Sequence, residues 1–264
     1  MVRTLLVRGM LVGILAGLLA FGFLKVFGEP QVDRATAFET QLDEAKAQAQ
    51  AQAEANRAKG LAVQQPVPEP ELVSRPVQAG IGLFTGVVVY SAAFGGLFAL
   101  VFAAVSGRIS GFGPRATSAL LAGAGFVAVF LVPFIKYPAN PPAVGEPETI
   151  HIRTALYFAM ILISLVAMGG VAMLRHRLAG RLGGWNASLL AGAAYLLVII
   201  VANLALPTVN EVPEQFPADL LWHFRVASIG GQLIMWASLG LVFGPLAERV
   251  VQRGTKPGYM MAAS

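Results

Sequence analysis

The sequence predicts an all-α integral membrane protein: six transmembrane helices arranged as three hairpins, with both termini in the cytoplasm. Three observations predict it. Only 12% of the 264 residues are charged and 56% are hydrophobic, whereas a soluble domain carries about 25% charged residues. Apolar stretches of about 20 residues, long enough to cross a bilayer as helices, recur six times. Basic and acidic residues collect on opposite sides of those stretches.

The first stretch, Leu5–Phe27, has Arg3 before it and Arg8 at its start, as a secretory signal would. Its apolar core is long and no small-x-small cleavage pattern clearly follows, so it is read as a retained helix. The others are Val77–Val105, Thr117–Ile135, Ile152–Leu174, Ala187–Leu206 and Val226–Leu246. Glycine is scattered through all of them, which disfavours strands and is tolerated in membrane helices. The chain reads as one membrane domain over residues 1–264, with Gly28–Arg75 as its one sizeable soluble link. Within that link, DRATAFETQLDEAKAQAQAQAEANRAKG is rich in helix formers. Phe38 and Leu42 offer a short apolar stripe near its start, and no apolar face follows. The segment QQPVPEPE is expected to be extended and stiff.

With the N-terminus in the cytoplasm, the cytoplasmic ends carry Arg3, Arg8, Arg108, Arg115, Arg175, Arg177, Arg181, Arg249, Arg253 and Lys256, ten of the nineteen basic residues. Of the fourteen carboxylates only Glu248 joins them. The positive-inside rule then sets the orientation. The net charge of +5 becomes an orientation signal with some affinity for anionic lipid, and nucleic acid is not an expected partner. Two cytoplasmic links follow, SGRISGFGPR and RHRLAGRLGGWN; His176, set among arginines in the second, is a cytoplasmic flank. The absence of cysteine excludes disulfides, thiolate metal sites and thiol catalysis. No GxxxxGK(S/T), GxSxG or HExxH string occurs, which argues against an ATPase or a soluble-type hydrolase; no enzyme chemistry and no resident cofactor is expected.

The apolar stretches hold no charged residue near their middles, and Lys25 and Lys136, close to outer ends, can snorkel. Gly9, Gly13 and Gly17, and again Gly240 and Gly244, are spaced four apart. Small residues at that spacing let helices approach closely, within the chain or in a homo- or hetero-oligomer.

Chemistry concentrates in the outer links. PFIKYPANPPAVGEPETIHIR and LPTVNEVPEQFPADLLWHFR both begin with Pro after a helix and hold Asn, Glu and several prolines. Both end in His-x-Arg before the next helix, with the two His–Arg pairs 72 residues apart. This suggests a pseudo-repeat of hairpins. Proline has no N–H to satisfy and fixes φ, so such links can lie flat over a helix bundle and can also hold polar side chains in a fixed constellation. Glu146, Glu148 and His151 lie close together, as do Asn210, Glu211, Glu214, Asp219 and His223. Oxygen and imidazole donors suit divalent Co, Ni, Mn, Fe or Zn, although no spacing matches a closed zinc motif. Arg153 and Arg225 sit at helix N-termini, where the macrodipole disfavours a cation. Each should therefore pair with a loop carboxylate: Glu146 or Glu148 for Arg153, and Glu211, Glu214 or Asp219 for Arg225.

The strings GEPQVDRA, PELVSRPVQAGIGL, VPFIKYPANPPAVGEPETIHIRTALY and LPTVNEVPEQFPADLLWHFRVAS resemble the CbtA family of predicted cobalt transporter subunits, and the likeness covers nearly the whole chain. It implies a bacterial inner-membrane protein associated with cobalt uptake for cobalamin synthesis. It also implies a small single-span, CbtB-like partner, whose histidine-bearing tail would hand metal over. The first outer link has no histidine here, which shifts metal capture to the proline-rich links or to the partner. The expectation is a membrane subunit of a divalent-cation importer, with cobalt as cargo and an extracytoplasmic entrance on the proline-rich links. In it His151 and His223 would be nitrogen ligands, Asn140, Glu146, Glu148, Asn210 and Glu211 oxygen ligands, and Glu29 and Asp33 would join from the first link. Two rivals are a non-conducting accessory subunit of a larger membrane complex and a carrier for a small organic solute.

Overall fold

In lipid every backbone N–H and C=O must be satisfied within the protein, and a helix does this segment by segment. The structure, a computed structural model, describes residues 1–57, 73–108 and 111–255. All six apolar stretches are helical in it, and no strand occurs among the described residues. The segment QQPVPEPE lies outside the described residues.

Helix α1 spans Val2–Phe27, and α2, Glu29–Arg57, follows after the single residue Gly28. Helix α3 spans Arg75–Val105 and α4 Pro114–Lys136. Helix α5 spans Ile150–Ala205 and α6 Ala218–Thr255. Five of these (all but α2) are long and apolar enough to cross a membrane, by length and composition. Large apolar side chains such as Leu11, Leu19, Leu197 and Leu204 are exposed on their outer faces, as a lipid solvent allows. The protein is a multi-pass membrane protein.

The expected link RHRLAGRLGGWN is not a loop. It is helical apart from Gly183, whose backbone (φ 76, ψ 157) no other residue type adopts readily. There α5 folds back on itself. Ser164 and Tyr195 are hydrogen-bonded at 2.7 Å, yet 31 residues of straight helix would separate them by about 46 Å. Arg175 donates to the Ser188 hydroxyl at 2.9 Å nearer the bend. The fourth and fifth apolar stretches are thus two arms of one bent helix.

Two wide turns of π geometry interrupt the other helices, at Gln78–Gly82 in α3 and Phe126–Leu131 in α4. The second lies just before Pro133, which has no N–H to donate to the preceding turn; widening the helix there accommodates the missing bond. Beyond it α4 packs against both arms of α5, through Val132, Tyr137, Met160, Tyr195 and Ala202.

The main core joins α1, α3, α4 and α6. Leu5, Phe98, Phe102, Leu239 and Phe243 are buried in it, and Phe243 meets Phe98 and Phe102 edge-on at centroid distances of 5.5 and 5.2 Å. The glycine ladders build the closest contacts. A Cβ on Gly9 or Gly13 would strike the carbonyl oxygens of Gly95 and Ser91 of α3, and one on Gly240 would meet Ala122 of α4 at 2.8 Å. Both glycine faces, which could equally have served an oligomer, are therefore filled from within the chain.

The ends of the bundle differ in charge. Arg8 donates to the Leu246 carbonyl, and Arg115 pairs with Glu248 at 2.7 Å, so the start of α1 and the end of α6 lie together on an arginine-rich end. At the other end Arg75 bridges Glu29 and Asp33, each at 2.8 Å. There α2 begins over the proline-rich links: Ala35 and Phe38 pack with Val144, Phe216 and Leu220.

Gly13→Ala should lower thermal stability by about 1–3 kcal/mol through overpacking. Gly22→Ala, where a Cβ meets nothing within 4 Å, should not lower it. Melting of the two variants in detergent checks both.

Candidate functional site: a cavity between the two proline-rich links

Proline and glycine shape the first link, Tyr137–Thr149. It leaves α4 at Tyr137, whose hydroxyl donates to the Pro207 carbonyl of the second link at 2.8 Å. Ala143 and Gly145 take left-handed backbone angles, φ 65 and φ 114. A side chain at Gly145 would be strained there and its Cβ would strike the Arg153 guanidinium. One 3-10 turn, Pro147–Thr149, then starts α5. The second link runs from Leu206 to Pro217 and carries Glu211.

The two arginines are engaged across the links, and not as the sequence suggested. Arg153 takes Glu211 of the second link, at 3.5 Å, and the Glu146 carbonyl at 3.3 Å; neither Glu146 nor Glu148 gives it a carboxylate. Arg225 finds no carboxylate among the described residues. Its Nη2 donates to Asn140 Oδ1 at 3.1 Å and its Nε to the Ala139 carbonyl at 3.3 Å, both on the first link. The cause is geometric: each helix start lies beside the other helix's approach, so neutral oxygens and one acid from across the gap reach the guanidinium first. Lys136 adds a third tie, donating to the Asn203 carbonyl at 2.8 Å and the Thr208 hydroxyl at 3.0 Å.

Between the links is a cavity of about 830 Å³. Asn140, Asn210 and Glu211 line it, with Lys136, Arg153, Thr154, Tyr157, Thr208 and Arg225. Deeper lies a second cavity of about 550 Å³, apolar except for groups such as Tyr90 and Gln232, and lined mainly by α3, α4 and the first arm of α5. Phe130 and Tyr157 belong to the walls of both.

The nine residues singled out from sequence do not converge. Asn140, Asn210 and Glu211 meet at the cavity. Glu146 is outside the lining and reaches it only indirectly, its backbone N–H donating to Glu211 at 2.8 Å. Glu148 and His151 are exposed and outside the lining. His223 is exposed, its Nδ1 2.7 Å from the Asp219 carbonyl. Glu29 and Asp33 share Arg75, away from the lining. Among the described residues no group of three or more His, Asp or Glu side chains is placed to hold a metal ion. Lys136 was legible only as a snorkelling residue; its place in the lining follows from the bonds that turn it towards the second link.

Glu211 is the one acid in the lining. The Thr149 hydroxyl, the Glu146 N–H and the Arg153 guanidinium together hold its carboxyl below the usual glutamate range. A lowered folded-state value means that this contribution to stability is complete above the ordinary glutamate value and is lost as pH falls through the lower one. The stability gap between wild type and Glu211→Gln should therefore close on acidification below the ordinary carboxylate range, as thermal melts from neutral pH downward will show.

Residues 2–248 match the family described as probable cobalt transporter subunit (CbtA). No curated protein and no solved structure matches the chain.

Proposed function

Because the chain belongs to the CbtA family, we propose that it is the membrane subunit of a cobalt uptake system and that cargo enters through the cavity between its proline-rich links. The observation carrying this reading is the pair of cavities, about 830 and 550 Å³, that share Phe130 and Tyr157. They give a stepwise route from the links towards the middle of the bundle, with two aromatic rings between the steps.

In this reading the chain crosses a bacterial cytoplasmic membrane six times, α5 contributing two passes. The arginine-rich end, with both termini, faces the cytoplasm. The exposed Glu148, His151 and His223 stand beside the entrance as collecting groups for free metal ion, whereas Glu29 and Asp33 are taken up by Arg75; the lining itself meets cargo without a preformed ligand cage. A small single-span, CbtB-like partner completes the system.

A second reading, a non-conducting accessory role in a larger membrane complex, is favoured by one observation: no charged side chain lines the inner cavity.

In cells lacking other cobalt importers, uptake of labelled Co²⁺ should fall to background on deletion of this protein. It should fall several-fold with Tyr157→Trp, which fills the shared wall. Uptake unchanged by Tyr157→Trp but lost with the whole protein would favour the accessory reading; uptake unchanged by deletion would refute the first. For topology, the cysteine-free chain allows single reporters: Gln215→Cys should react with an impermeant maleimide added to intact cells, and Ala179→Cys should not.

A further inference from the structure

We propose that the outer cavity is an oxyanion site, taking a small multiply charged carboxylate or phosphate group, and that a metal passing through it is carried as an anionic chelate. The second clause rests on the uptake reading; the first does not.

The charges facing the cavity decide its sign. Lys136, Arg153 and Arg225 line it against one carboxylate, Glu211, so three positive charges less one negative leave a formal +2. Glu211 is already engaged by Arg153 and the Glu146 N–H. Lys136 and Arg225 meet only neutral oxygens: the Asn203 carbonyl and Thr208 hydroxyl for one, the Ala139 carbonyl and Asn140 amide for the other. The cavity thus offers cationic donors that the fold leaves under-neutralised, in a space of about 830 Å³, and a bare divalent cation would be repelled from it. A guanidinium fork and an ammonium are the donors that recognise carboxylate and phosphate. The amides of Asn140 and Asn210 can also donate to oxyanion oxygens. A divalent ion wrapped by a polycarboxylate presents those same oxygens outward and enters as an anion.

The test uses the full chain in phosphatidylcholine nanodiscs, titrated calorimetrically with citrate, with Co²⁺–citrate and, separately, with CoCl₂ free of chelator. Citrate and its cobalt complex should bind, at least ten-fold more weakly to Lys136→Gln and to Asn210→Asp. The second variant adds a negative charge without removing any hydrogen bond that ties the links, so it keeps the test open if Lys136→Gln folds poorly. Chelator-free Co²⁺ should bind weakly, and more tightly to Asn210→Asp. Nanodiscs containing phosphatidylglycerol separate the sources. Weakened citrate binding there assigns the site to a lipid phosphate as well; unchanged binding assigns it to the soluble anion.

No citrate binding, or citrate binding equal in wild type and both variants, would overturn the proposal. So would tight chelator-free Co²⁺ binding lost in Glu211→Gln. Cobalt uptake that depends on the protein, with no citrate binding, removes this inference and leaves the uptake reading. Citrate binding with uptake indifferent to deletion does the reverse.

Discussion

Two arginines hold the proline-rich end of this protein together, each from the wrong side. Arg153 opens α5 and is held by Glu211 of the link before α6; Arg225 opens α6 and is held by Ala139 and Asn140 of the link before α5. Neither link could take its course without the other, because each supplies the oxygens that a guanidinium near a helix N-terminus requires. A cation there is opposed by the helix dipole, so these contacts must offset that cost as well as desolvation. The cavity is the space that remains when two stiff links are tied crosswise instead of each to its own helix. Its positive character has the same origin: three cations serve as ties and only one acid answers them.

The crossing also gives physical content to the internal echo of the two links. Two similar approaches, each ending in His-x-Arg, meet face to face and exchange partners. In each, the histidine remains exposed while the arginine turns inward. The echo is one of construction, since its acids are used differently: Glu211 enters the lining and its neighbours in the first link, Glu146 and Glu148, present their side chains to the exterior.

The bundle was largely legible in the sequence because lipid imposes simple rules. Long apolar runs become helices, four-residue glycine spacing becomes close packing, and arginines share an end. Phe38 was legible as part of a stripe and packs edge-on against Phe216 at 5.2 Å. The bend at Gly183 was not, since RHRLAGRLGGWN has the polarity of a loop and nothing in it marks a helix that turns on one residue. The site was legible in part. Link composition pointed to the segments that frame the cavity, and Asn140, Asn210 and Glu211 do line it. The sign of that cavity was not, because charge counted along a chain says nothing about which side chains face inward. Thirteen acids on one side of the membrane suggested a cation; the few groups that line the space are mostly basic.

The turn at Gly183 bears on how the protein is made. With no spacer between its arms, the α5 hairpin is paired almost from its tip, through Arg175 with Ser188 and Ser164 with Tyr195. Arg175, Arg177 and Arg181 flank that tip, and in the proposed topology, with both termini in the cytoplasm, none of them has to cross hydrocarbon during biogenesis. A residue obliged to bear a side chain at the pivot would strain that positive-φ backbone and loosen the pairing of two arms whose main helical neighbour, among the described residues, is α4.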